Sequence, residues 1–371
     1  MYTFAILFLS VFAVLEIAYP QAIKKYKMVC AFLCFSFLIF HDGFRWETGC
    51  DWNPYSYYFE HLISDFSIDE PVFEVGYYLF MLPIRLVTDN YTVYLIIHAL
   101  IFYSALFFFI FRFSTNPFVS ILLLYMVTVT LMGTNRQFLA LAICLLALYY
   151  QIKRERILFI ALTIVASFLH TSALVCFMFL FLTSRIKQMY LIILLVLAVV
   201  VSLSGIVNDV APYMAMFIKD DTIAYKFDFY TVNAVGYSFM SSVVSLFRRM
   251  IWIIILMIFD GRIKNKPKYY YLFFNMYFFS TIMYVVFNGT VLQLFVSRGL
   301  LYFNIAEIMI IPYIIYLFTQ NWGKMLVMAA IVGYVYISVF KGFSNYGEGN
   351  DVFLPYKGLF INTDYERIDK G

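Results

Sequence analysis

The stretch Tyr91-Thr-Val-Tyr-Leu-Ile-Ile-His-Ala-Leu-Ile-Phe-Tyr-Ser-Ala-Leu-Phe-Phe-Phe-Ile-Phe-Arg-Phe113 decides the fold. It carries no carboxylate, and its one formal cation, Arg112, lies at the far end. Coiled as a helix it is long enough to cross the roughly 30 Å hydrocarbon core of a bilayer. Comparable runs recur outward in both directions, at 2–19, 28–44, 117–134, 136–152, 189–206, 237–259, 269–288, 298–319 and 324–340. Composition agrees: 64% of residues are hydrophobic and 13% charged, and mean hydropathy is +0.85. A soluble domain has about a quarter of its residues charged, so a soluble class is excluded and nothing points to nucleic acid. Period-two alternation, the mark of a membrane β-barrel, is absent. The expected fold is an all-α polytopic membrane protein of roughly 10–12 transmembrane helices with one or two short or re-entrant helices. The first residues lack a basic leader and a small-residue cleavage site, and read as a first span instead of a signal peptide.

Charge placement sets the expected topology. Basic clusters at 24–27, 153–156, 185–187 and 262–268 belong on the cytoplasmic side by the positive-inside rule. Both termini, the loops at 45–73 and 207–236, and a tail at 341–371 then fall outside. Residues 1–340 read as a single integral membrane domain and 341–371 as a separate periplasmic tail. Cys30, Cys34, Cys144 and Cys176 lie in apolar runs as small buried hydrophobes. Cys50 stands alone in the polar loop, and no cysteine spacing suggests zinc.

Two stretches resist a simple crossing. Residues 157–183 form an apolar run with basic clusters at both ends, broken by Ser167-Phe-Leu-His170-Thr-Ser172. Two pieces of about 13 residues, each rising about 20 Å, would make a hairpin with His170 at its tip. Residues 74–88 are short and contain Pro83 and Arg85, which reads as a re-entrant or interfacial element. Irregular backbone at membrane depth survives only inside protein or beside a wet cavity.

The polar loop Arg45-Trp-Glu-Thr-Gly-Cys-Asp-Trp-Asn-Pro-Tyr-Ser-Tyr-Tyr-Phe-Glu60 concentrates charge and aromatic rings between two apolar spans. Arg45, Arg136, the pair Arg248-Arg249 and Arg298 all fall at a similar outward depth. Glu307, about 13 Å further along the helix from Arg298, suits a countercharge. Each has a bland alternative: Arg85 or Arg298 snorkelling to lipid phosphate, Arg136 anchoring a helix end, His170 sitting satisfied in a core. Together, guanidinium groups beside a lipid-facing cavity suit a lipid-linked phosphate or diphosphate. Trp52, Tyr55 and Tyr58 near Asp51 suit sugar faces and hydroxyls.

The pattern Arg45-x-Glu47-Thr-Gly49-Cys-Asp51-Trp52-x-x-Tyr55-x-x-Tyr58-Phe59, followed by Glu70-Pro71-Val-Phe-Glu74-Val-Gly76-Tyr, resembles the first outer loop of EpsG-like and Wzy-type polysaccharide (O-antigen) polymerases. In the same order, Arg136-Gln137-x-x-Ala140 is similar to their Arg-Gln helix start. Ala166-Ser-Phe168-x-His170-x-Ser172-Ala173 is similar to their Phe-His-x-Ser element, and Arg298-x-x-x-Tyr302-Phe303 to their late Arg-x-x-x-Tyr-Phe. The resemblance runs from about residue 40 to 305. Cys50 and Trp52 stand where Thr and Tyr are commoner, and Val72 where Gly is.

The resemblance implies an inner-membrane glycosyltransferase of the type-C class with its active site on the periplasmic side. It would move a growing glycan from undecaprenyl diphosphate to an incoming lipid-linked repeat unit, with membrane lipid, a chain-length regulator and a flippase as further partners. On that reading Arg136 and Arg298, assisted by Arg248 or Arg249, stabilise the diphosphate leaving group. Asp51 is the first choice to orient or deprotonate the acceptor hydroxyl and His170 the second. Glu47 and Glu74 are weaker candidates, and Arg45 holds Asp51 or a phosphate. Gln137 and Tyr302 join the substrate-binding set through their motifs. No Asp-x-Asp motif and no paired metal-ligand carboxylates occur, so neither metal nor other cofactor is expected. An O-antigen ligase-like enzyme or an acyltransferase would share an outer-face site. A flippase for the same lipid-linked sugar would also want cations in a cavity, but the two halves of the chain show no internal repeat.

Overall fold

The computed structural model describes residues 1–62, 73–215, 239–288, 290, 296, 299–344 and 352–366. Among these it is helical with no strand, only two isolated bridges at Arg45, Gly358 and Ile361. Among the described residues each of the ten expected spans overlaps a helix. In chain order these are α1 (Tyr2–Ala18), α2 (Pro20–Gly43), α3 (Trp52–Tyr57), α4 (Val75–Arg85), α5 (Tyr91–Phe113), α6 (Pro117–Val129), α7 (Asn135–Ile152), α8 (Arg156–Ser167), α9 (Gln188–Ser204) and α10 (Ile206–Ala215), then α11 (Phe239–Phe259), α12 (Tyr270–Phe287), α13 (Leu300–Ile310) and α14 (Asn321–Ser344). Helix α13 tightens into a 3-10 turn at Ile311–Leu317. Among the described residues α5, α12, Leu300–Leu317 and α14 are each long and apolar enough to cross a membrane. Helix α6, at 13 residues, rises only about 20 Å.

The chain divides into two compact units, Met1–Phe177 with Phe318–Gly371, and Met178–Leu317. Uniform apolarity leaves no linker for the sequence to show, so the division is invisible in composition.

In the first unit α5 and α7 run side by side in the same direction, since α6 returns the chain between them. His98 Nε2 meets the Asn135 carbonyl at 2.9 Å near one end. Phe102 stacks on Phe138 at 4.3 Å, and Phe113 meets Tyr149 at 5.9 Å further along. Helix α1 buries Tyr2, Ala5, Ile6, Leu9 and Ala13, a 3–4 spacing that makes one stripe, against α6 and α14. Its Glu16 carboxylate accepts the Phe118 and Val119 N–H groups at 3.0 and 3.1 Å. A carboxylate there satisfies orphan donors and matches the positive end of α6.

Helix α14 continues to Ser344, and 352–366 fold back onto the loop after α2. Trp46 N–H donates to the Lys357 carbonyl at 3.0 Å, Gly49 N–H to Val352 at 2.9 Å and Leu359 N–H to Phe44 at 3.0 Å. The Tyr356 hydroxyl donates to the His41 carbonyl at 2.6 Å. Loop 207–236 begins as α10 after Gly205 in the left-handed region; its remainder, with Asp220 and Asp221, lies outside the described residues.

In the second unit, Asn275 on α12 donates to the carbonyls of Leu182 and Ser184 at 2.7 and 2.8 Å. Phe179 packs edge-on against Phe303 at 5.0 Å. Asp260, after α11, pairs with Arg185 at 3.2 Å and Lys266 at 2.7 Å.

Candidate functional site

The site candidates of the first unit gather where α2 ends, α5 and α7 begin, and the short elements return. Two loops interlock there. Cys50 N–H donates to the Met132 carbonyl at 2.7 Å. A Cβ on Gly133 would sit 2.0 Å from the Cys50 oxygen, and one on Gly49 would sit 2.4 Å from the Met132 oxygen. Both glycines also have φ near +105°, at +108 for Gly49 and +105 for Gly133, where L side chains are disfavoured. Backbone contact this close fixes the polar loop against the start of α7.

Arg45 is the pin of that junction. It is 1% exposed, and its Nε donates to Asp42 at 2.9 Å, Nη1 to the Thr48 carbonyl at 3.0 Å and Nη2 to Asn135 Oδ1 at 3.0 Å. The Trp52 ring lies 5.4 Å from the guanidinium carbon. Asn135 in turn donates to the Tyr91 hydroxyl at 3.0 Å. Arg45 therefore holds Asp42, not Asp51, and its buried, bonded fork braces the loop where a phosphate contact was expected.

One residue further along α7, Arg136 is placed differently. Its Nη1 meets Glu74 Oε2 at 2.5 Å, with side chains 21% and 23% exposed. Its Nε donates to the Tyr55 hydroxyl at 2.9 Å. The Phe73 ring lies 4.4 Å from its guanidinium carbon, close enough for a cation–π contact. Tyr55, Tyr58 and Tyr77 surround Phe73 at 5.0, 4.7 and 5.6 Å. Nη2 has no protein partner among the described residues.

Glu74 joins the two irregular elements. It precedes α4, an 11-residue helix with Pro83 inside. Gly76 N–H donates to the Phe168 carbonyl at 2.9 Å, and a Cβ on Gly76 would lie 2.6 Å from that oxygen. Phe168 sits at the break after α8. Beyond it the chain resumes as a 3-10 segment, Thr171–Leu180, and doubles back: Phe159 and Phe177, 18 positions apart, have ring centroids only 6.4 Å apart. The expected hairpin is therefore present, and its tip packs on the other short element. Glu74 Oε1 accepts from the Thr171 N–H and hydroxyl, both at 3.4 Å. Burial alone would raise the Glu74 carboxyl, but the Arg136 guanidinium, its backbone hydrogen bond and the His170 charge outweigh this and hold it below the ordinary carboxylate range. At the tip, His170 Nδ1 lies 2.6 Å from the Ser172 hydroxyl and 3.3 Å from the Ser172 amide.

The remaining candidates fall in several places. Asp51 is exposed, in the left-handed region at φ +53, at the start of α3. Glu47 pairs with Lys357 at 2.7 Å. Trp52, Tyr55 and Tyr58 are 8%, 2% and 2% exposed, so they form the wall under the arginines instead of presenting ring faces to a sugar. Gln137 is buried on α7. In the second unit Arg249 donates to Ser280 and Asn304 and lies 5.0 Å from the Tyr284 ring centroid. Arg248 beside it is half-buried, and Tyr302 and Glu307 are buried on α13. Arg298, Glu70 and Pro71 lie outside the described residues. Among the described residues no three His, Cys, Asp or Glu side chains gather as a metal-binding group.

Sequence reasoning missed Asn135, Phe73, Thr171 and Lys357 as parts of this assembly. Ser172 was in view within the His-x-Ser element, yet unused. Phe73 was likewise inside the quoted motif, one residue before Glu74.

The model of the EpsG family matches residues 28–358, a span that takes in the Arg45 loop, Glu74, Arg136, His170 and the returning Lys357. No curated protein and no solved structure matches the chain.

Proposed function

We propose that this chain, which belongs to the EpsG family and is thus a polysaccharide-polymerase-type membrane protein, transfers a growing glycan from undecaprenyl diphosphate to an incoming lipid-linked repeat unit. The observation that carries the reading is Arg136. It is a half-buried cation whose Nη2 is unbonded among the described residues, held over Phe73 by Tyr55 and Glu74. A cation so placed costs energy in an apolar protein unless it serves an anion. Glu74 is its resident counter-ion, and the open Nη2 edge is where a diphosphate oxygen binds.

In the transfer, the acceptor hydroxyl oxygen forms a bond to the anomeric carbon as the carbon–oxygen bond to diphosphate breaks. The bonding pair leaves on the diphosphate, where Arg136 stabilises it; such a positioned donor contributes about 100- to 1000-fold. The acceptor proton passes to a carboxylate, for which exposed Asp51 is the candidate. Arg45 serves this indirectly, by fixing Asn135 and so the start of α7. Arg248 and Arg249 remain candidate substrate contacts through their expected outward depth, and Arg298, Gln137 and Tyr302 through their motifs. We place the reaction on the periplasmic side of a bacterial inner membrane, with a chain-length regulator and a flippase as partners, and expect no metal requirement.

The test is purified protein incubated with defined lipid-linked repeat units without added divalent cation, products being read by gel and mass spectrometry. A ladder of polymers with stoichiometric release of undecaprenyl diphosphate supports the reading. Transfer to a different acceptor identifies a ligase. Movement across vesicles without diphosphate release identifies a flippase.

A further inference from the structure

Arg249, in the second unit, is a cation for which the transfer step above has no defined task. It lies on α11, about 15 Å of helix before the end at Phe259. An arginine at such depth ordinarily snorkels out to lipid phosphate. This one turns to its neighbouring helices instead. Its Nη2 donates to the fully buried Ser280 hydroxyl on α12 and to Asn304 Oδ1 on α13. Ser280 Oγ donates to the same Asn304 oxygen at 2.7 Å. The Tyr277 hydroxyl donates to the Arg249 carbonyl at 3.1 Å and fixes α11 at this level. With the Tyr284 ring, the cage is entirely neutral. Among the described residues no carboxylate pairs with Arg249; Glu307, one turn along α13 from Asn304, makes no ion pair with it. The cage does not even satisfy the cation's donors. Nε is buried and unbonded, and Nη1 has no protein partner among the described residues. A charge so held is costly unless something balances it, and an unmet buried donor adds to that cost. The cage also has an opening. From Leu300 to Ile315 every residue is buried except Asn304, so α13 is open at the one point where it holds the guanidinium.

We propose that Arg249 is a second anion site and that it holds the diphosphate of the acceptor lipid. The proposal rests on the polymerase reading. Transfer between two lipid-linked units brings two diphosphates to the protein, and their fates differ. The donor's diphosphate leaves its sugar and gains charge as it does so. The acceptor's keeps both of its bonds and its charge throughout. The two arginines match this difference. Glu74 offsets the charge of Arg136, so its pull on an anion matters most as new charge develops. Arg249 has no carboxylate beside it, so it attracts an anion that is already fully formed. Ser280 and Asn304 occupy Nη2 and position the fork, leaving Nη1 for a phosphate oxygen. No bond is made or broken at Arg249; it is a binding residue that holds the acceptor and does not assist the leaving group.

Two measurements on the purified full-length protein test this. The first counts bound undecaprenyl diphosphate by native mass spectrometry, with undecaprenol, which lacks the diphosphate, as the control for lipid held by apolar surface alone. The wild type should bind two molecules, and R249Q and R136Q one each. A wild type that binds one, or an R249Q that still binds two, overturns the second site. The wild-type count needs no variant, so the test stands even if R249Q fails to fold. The second varies the acceptor against a fixed donor whose own acceptor hydroxyl is blocked. R249Q should raise the acceptor KM by about 10- to 100-fold and change kcat far less, whereas R136A lowers kcat. A fall in kcat with an unchanged acceptor KM in folded R249Q overturns the acceptor assignment. Wild-type protein that binds two lipids but forms no polymer overturns the polymerase reading and the acceptor assignment with it, leaving an anion site. Polymer formed by wild-type protein that binds one lipid overturns the second site alone.

Discussion

Arg45 and Arg136 lie beside the same interlocked loops, joined through Asn135, yet they are opposites. Arg45 is 1% exposed and uses Nε, Nη1 and Nη2 on the protein. Arg136 keeps a fifth of its side chain exposed and leaves Nη2 unbonded among the described residues, held by an acid, a phenol and a ring. A buried fork with every nitrogen engaged braces a fold, whereas a steadied but open fork is ready for a ligand. The difference separates a charge kept for architecture from one kept for chemistry, although both began as arginines at the ends of spans.

Removing the first should damage the protein before it damages the reaction. Arg45→Ala leaves Asp42 as an unpaired buried carboxylate, and breaking a buried pair costs about 3–5 kcal/mol. The expected result is a large fall in thermal stability or membrane yield, with Asp42→Asn in the same chain recovering part of it. Arg136→Ala should do the reverse: about a 100- to 1000-fold loss of polymerisation rate with near-normal melting. Arg136→Lys should recover little, because an ammonium does not reproduce the planar fork. Equal melting temperatures for the two alanine variants would erase the distinction.

A smaller effect sharpens the Arg136 side. The Glu74 carboxyl is held below its ordinary value of 4.5. A depressed carboxylate contributes stability above its unfolded-state value and loses it as pH falls through the folded-state value. The stability difference between wild type and Glu74→Gln should therefore be constant above about pH 4.5 and shrink only below it. A difference that already shrinks on going from pH 7 to 5 would show that Glu74 is not held by Arg136. The smallest effect belongs to the strap. Lys357→Met should cost about 1 kcal/mol or less, because Glu47 is 35% exposed and solvent screens the pair. Melting curves at low and high salt should converge for the variant.

The sequence disclosed much of this frame for a plain reason: each span is a local run whose length must match a bilayer. The two irregular elements were legible too, through Pro83 in one and the polar break around His170 in the other. Arg136 stood out as a cation at a span start. What separates it from Arg45 is not local. Its partner Glu74 lies 62 positions away, and the Lys357 partner of Glu47 lies 310 positions away. No periodicity encodes such pairings, so the returning tail read as an appendage. The ring faces of Trp52, Tyr55 and Tyr58 suggested sugar stacking because sequence shows a ring but not which side of it is covered.

The central claim is that Arg136 carries the diphosphate in a glycan transfer. The most direct measurement is the rate of undecaprenyl diphosphate release from defined lipid-linked repeat units by purified wild-type and Arg136→Ala proteins of matched melting temperature. The account predicts release coupled to chain growth in the wild type and a loss of at least about 100-fold in the variant. Release by Arg136→Ala within a few-fold of the wild type would contradict it.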